Sequence, residues 1–76
     1  MFETIREILL RYIETEGVSI TEDTRLQEDL FLNSLDFIYI IMDLEVQCGV
    51  AFSDEEIGSM RTVGDLQEQL IGKTQA

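Results

Sequence analysis

The chain has 76 residues, 45% of them hydrophobic, with sixteen acidic and five basic side chains, a net charge of −11 and no histidine. Such a length supports one domain, 1–76, and that charge excludes nucleic acid and anionic membrane surfaces as partners, because phosphates repel it. One cysteine, Cys48, excludes an internal disulfide, and with no histidine a Cys/His zinc site is excluded too.

From the N-terminus, Phe2 to about Glu14 reads as an amphipathic helix. Phe2, Ile5, Ile8, Leu9, Tyr12 and Ile13 share one face at helical spacing, and Gly17 is a plausible stop. Gly17 to Asn33 is a long connection without a period. Loops of that length are uncommon in compact domains and are often functional. Val18, Ile20, Leu26, Leu30 and Leu32 are expected to pin it to the core. A second helix is predicted from Ser34 to about Gln47, with Gly49 following. Asp54 to Ile57 reads as a short helical turn capped by Ser53. A last helix should begin after Thr62, burying Val63, Leu66, Leu70 and Ile71. The fold class is all-α: a small bundle of three main helices plus one short helical turn.

The second helix carries two apolar faces. At 100° per residue, Phe37, Ile40, Ile41, Leu44 and Cys48 form a core face. Opposite them lie Leu35, Tyr39, Met42 and Val46, spaced i, i+4, i+7, i+11, with Asp36 and Asp43 along one edge. Burial of both faces would make this a central helix. So short a chain has few elements with which to cover both, and apolar anchors rimmed by acids suit a transient partner interface. No basic residue falls between Arg25 and Arg61, so the middle of the chain is its electronegative part.

Ser34 stands where the long loop gives way to this helix. Serine is a favoured N-cap, and by position alone capping is the stronger reading; Asn33 beside it is another capping residue. A helix start also offers free N–H groups and a positive dipole end that favour a nearby phosphate.

The run Asp29-Leu30-Phe31-Leu32-Asn33-Ser34-Leu35-Asp36 resembles the attachment motif of the acyl carrier protein family. The likeness continues through Met42-Asp43-Leu44-Glu45, Gly49 to Glu56, and Thr62-Val63-Gly64-Asp65-Leu66. The resemblance implies that a phosphopantetheinyl transferase joins 4′-phosphopantetheine to the Ser34 hydroxyl. The arm's thiol would then hold acyl groups as thioesters, for fatty-acid synthesis or a specialised acyl or polyketide pathway. Partners would be that transferase and acyl-transferring and acyl-processing enzymes with basic docking patches. They would meet Leu35, Asp36, Tyr39, Met42, Asp43 and Val46. By matching position, Phe37, Ile41, Phe52, Ile57 and Met60 would line an acyl pocket; equally, they fill a core. Departures are Asn33 for the usual aspartate, Phe31 for a common glycine, and Tyr39 and Val46 for common glutamates. Asn33 keeps the shape and can accept a hydrogen bond. Phe31 sets the usual loop conformation in question. Tyr39 and Val46 make the docking face more hydrophobic.

The chain is not expected to be an enzyme, since Ser34 and Cys48 have no histidine to act as base. Cys48 is expected to be structural. No window has the EF-hand pattern, so no metal is expected. A carrier of aminoacyl or peptidyl groups shares the same serine and helix order. An unmodified acidic adaptor would explain the charge but not the ordered motifs. No apolar run nears the ~20 residues that span a bilayer. The first residues lack a signal-peptide pattern, which with the lone thiol predicts the cytoplasm, and a monomer is expected.

Overall fold

The computed structural model describes residues 1–13 and 19–74. The chain is all-helical there: α1 (Phe2–Tyr12), α2 (Ser34–Cys48), α3 (Asp54–Ser59) and α4 (Val63–Thr74). The expected residues Glu14, Gly17 and Val18 lie outside the described residues. α1 packs on both α2 and α4.

Local chemistry explains the helix ends. Asn33 caps α2, its side-chain oxygen accepting from the Asp36 N–H at 2.8 Å. Position alone had favoured Ser34 for that role; Ser34 is instead the first residue inside the helix. The reason is backbone geometry: Asn33 keeps the extended φ/ψ that a cap needs, and its short amide reaches the third N–H of the turn. Gly49 ends α2 in the left-handed conformation, donating its N–H to the Glu45 carbonyl. Ser53 and Glu56 form a reciprocal capping box on α3, which runs two residues further than the expected Ile57. Thr62 and Asp65 make the matching exchange at α4.

The core joins the inner stripes of three helices to the long loop. Ile5, Ile8 and Leu9 of α1 meet Phe37, Ile40, Ile41 and Leu44 of α2 and Val63, Leu66 and Leu70 of α4. Ile20, Leu26, Leu30 and Leu32 bury from the loop, as their apolarity predicted, while Ile71 is only half-buried.

What the sequence pattern did not show is how the loop is held. Arg25 and Thr62 form an isolated antiparallel bridge. The Leu26 N–H donates to the Arg61 carbonyl at 2.8 Å, and the Val63 N–H to the Thr24 carbonyl at 2.9 Å. The loop is therefore laced by its backbone to the start of α4.

Gly64 completes that lacing. Its N–H donates to the Glu22 carbonyl at 2.8 Å, and a Cβ added there would lie 3.0 Å from the same oxygen. Gly64→Ala should therefore destabilise by about 1 kcal/mol despite the better helix propensity of alanine. Gly72, further along α4, has nothing within 4 Å of a built Cβ, so Gly72→Ala should stabilise by about 0.5 kcal/mol. Urea melts of the two variants should shift in opposite directions.

Candidate functional site

Ser34 is exposed at the first position of α2, and its hydroxyl makes no hydrogen bond among the described residues. Asn33 takes the capping work, which leaves the Ser34 oxygen free. The Asp36 N–H is occupied by Asn33 Oδ1 and the Phe37 N–H by the Asn33 carbonyl. The Ser34 and Leu35 N–H groups precede these and have no helical acceptor, so the positive end of a 15-residue helix opens beside the hydroxyl.

The second face of α2 is open. Leu35 is 60% exposed, Tyr39 46%, Met42 52% and Val46 86%, while Phe37, Ile40, Ile41 and Leu44 are buried behind them. Ile38 is also exposed. The spacing argument passed over it, although its place three residues after Leu35 puts it at the edge of the same stripe.

The acidic edge divides into two kinds of carboxylate. Asp36 is half-buried in the first turn of α2. Asp43 is also half-buried and accepts the Tyr12 hydroxyl at 2.6 Å, tying α1 to α2. That hydrogen bond raises the Tyr12 pKa above its ordinary value, with desolvation and the Asp43 charge adding to it. Asp43, expected as a partner contact, thus already has a structural one. Beside the loop, Arg25 pairs with Glu28 at 2.6 Å and Asp29 at 3.0 Å. Its hydrogen bonds hold the Asp29 carboxyl below the usual range.

Four of the expected acyl-pocket residues, Phe37, Ile41, Phe52 and Met60, sit together in the core, and Ile57 packs half-buried against it. An open groove of about 390 Å³ between the loop and α3 has Met60 in its wall, with Arg25, Gln27 and Arg61, and does not include the other four. Over this part of the core lies α3, which buries none of its own residues. It is held by Lys73, whose ammonium is 2.8 Å from Glu56 Oε2 and 5.2 Å above the Phe52 ring. The Lys73 hydrogen bond is the largest cause of a lowered Glu56 pKa. Cys48 is half-buried against the core. No helix among the described residues is long and apolar enough to cross a membrane.

Phe31 is the residue that sequence reasoning undervalued. It adopts φ +55°, the left-handed conformation that glycine takes without strain. The substitution for glycine therefore has not abolished a left-handed turn in this loop. Its ring is 86% exposed, with no core role.

A phosphodiester-linked arm fits these surroundings, which offer an unengaged, exposed hydroxyl and unpaired N–H groups beside it for a phosphate. The fold matches a protein assigned as an acyl carrier protein from Mycobacterium tuberculosis with a TM-score of 0.86. The identity is 28%, covering 93% of this chain and 95% of that one. The acyl carrier protein of Enterococcus faecalis shares the fold at 21% identity, with a TM-score of 0.80 over 95% of this chain and 91% of that one. Residues 3–70 match the family model for the phosphopantetheine attachment site. With nearly its whole length matched and its helices in the acyl carrier arrangement, the chain belongs to the phosphopantetheine-attachment family, the non-catalytic acyl carrier proteins that bear 4′-phosphopantetheine covalently.

Proposed function

We propose that Ser34 Oγ bears the arm and that the chain presents acyl groups on it as thioesters, in fatty-acid synthesis or a specialised acyl or polyketide pathway. The observation that carries this reading is the exposed, unengaged Ser34 hydroxyl at the start of α2, freed by the Asn33 cap. When bound, the arm supplies the thiol that forms the thioester. Attachment joins Ser34 Oγ to the phosphorus of phosphopantetheine and releases the nucleotide part of coenzyme A. The hydroxyl proton passes to a base of the transferase.

The chain's own part is presentation. Leu35, Tyr39, Met42 and Val46, with Asp36 and the free edge of Asp43, form the face offered to enzymes with basic docking patches. Phe37, Ile41, Phe52, Ile57 and Met60 are the walls that an acyl chain would part, beneath an α3 tied to α4 by the Glu56–Lys73 pair and by Gln69. We read residues 1–76 as one domain acting as a monomer in the cytoplasm; a lone, half-buried thiol and self-repelling charge support that reading.

Co-expression with a broad-specificity phosphopantetheinyl transferase, followed by intact mass measurement, tests the assignment. The wild-type chain should gain one phosphopantetheine group and Ser34→Ala none. A gain that persists in Ser34→Ala would move the site. No gain with any transferase would leave an acidic adaptor on a carrier fold.

A further inference from the structure

We propose that Phe31 is a specificity-determining contact for the transferase that modifies Ser34, its ring entering an apolar recess of that enzyme. This rests on the assignment of Ser34 as the attachment residue.

The starting observation is an expense of conformation with no return inside the fold. A left-handed φ of +55° in a bulky residue costs on the order of 1 kcal/mol or more. Glycine or asparagine would meet the same backbone at less cost. Burial does not repay it, since the ring is 86% exposed and lies outside the core. Both flanking residues of the loop, Leu30 and Leu32, are buried and anchor the backbone. The chain thus holds Phe31 outward between two fixed points, three residues before Ser34. Exposed Leu35 follows Ser34 directly, so exposed apolar side chains bracket the hydroxyl along the chain.

Charge selects the occupant. The nearest cation of the loop, Arg25, is already paired with Glu28 and Asp29, and no other basic residue occurs between Arg25 and Arg61. A second copy of this chain would bring another −11 against the same face, and an anionic lipid surface would also be repelled. What fits is a protein with a basic rim around an apolar recess, and the transferase is the enzyme that must approach Ser34 itself. An exposed aromatic in such a recess is a common anchor, with two side-chain torsions to order.

Phe31→Gly separates this role from a structural one, because glycine relieves the left-handed strain. Its melting temperature should be no lower than that of the wild type. Transfer of phosphopantetheine from coenzyme A by a purified broad-specificity transferase is then followed by intact mass. KM for the carrier should rise about tenfold in Phe31→Gly with kcat unchanged, and Phe31→Leu should recover part of the loss. An unchanged or lower KM in Phe31→Gly overturns the proposal, as does a fall in kcat alone. A wild-type chain that accepts no arm from any transferase removes the assignment of Ser34 and this proposal with it. A modified wild type with an indifferent Phe31→Gly removes this proposal only.

Discussion

Leu44→Ala should lower stability by about 3–4 kcal/mol, while Leu35→Ala on the same helix should change it by about 0.5 kcal/mol or less. Both residues are leucines on α2, and only tertiary position separates them. Leu44 has no exposed surface and lies in the core, where α1 packs on α2, whereas Leu35 is 60% exposed. Truncating Leu44 removes its transfer free energy and leaves a cavity that close-packed neighbours fill only in part. At roughly 0.05–0.15 kcal/mol per residue, a chain of this length has about 4–11 kcal/mol in total. The Leu44 variant should therefore melt about 15–25 °C lower and be partly unfolded near 37 °C if the total lies at the low end of that range. Thermal melts of both variants check the contrast. Equal shifts would mean that the outer face of α2 is packed too.

Salt should stabilise the chain strongly, raising its melting temperature by about 10 °C between 10 mM and 1 M sodium chloride. The net charge of −11 is confined within 36 × 22 × 20 Å. At 10 mM the screening length is about 30 Å, so nearly every carboxylate feels every other; at 1 M it is about 3 Å. Unfolding spreads those charges, so the repulsion weighs on the folded state. Among the described residues Arg25 with Asp29, Arg61 near Asp65 and Lys73 with Glu56 oppose it locally, and salt weakens these pairs, but they are few and at least partly exposed to solvent.

Acid should work in two opposed ways. Protonating unpaired carboxylates relieves repulsion. Asp29, Glu56 and Asp65, however, have folded pKa values below their ordinary ones. Their contribution is complete above the ordinary carboxylate values and is lost as pH falls through the lowered folded values. For Glu56 the causes are the Lys73 bond first and then the Ser53 backbone N–H; for Asp65, the Arg61 and Thr62 N–H groups. Stability should hold from pH 7 to about 5 and fall below about pH 4. In Glu56→Gln the acid fall should be shallower, because the amide can still accept from Ser53 but has no charge to lose. Melts from pH 3 to 7 read both effects. A wild-type stability that rises steadily down to pH 3 would show repulsion outweighing the caps.

The sequence by itself determined the helices and most of their ends, because these rest on local physics. The spacing of Ile5, Ile8 and Leu9, the glycine at 49 and the Ser53–Glu56 pair each act within a turn or two of chain. The two apolar faces of α2 were also legible as a pattern. Phe37, Ile40, Ile41 and Leu44 were legible as the core face, but the exposure of Leu35 and Val46 was fixed only by where α1, α4 and the loop come to rest. Tertiary structure alone joined Arg25 to Thr62, Tyr12 to Asp43 and Glu56 to Lys73, pairs separated by 17 to 37 positions. Spacing within a helix carries no information about such pairs. It also decided which of two adjacent capping residues does the capping. Asn33 and Ser34 have similar propensities for that position, and the extended backbone at Asn33 gave it the cap and left the Ser34 hydroxyl free.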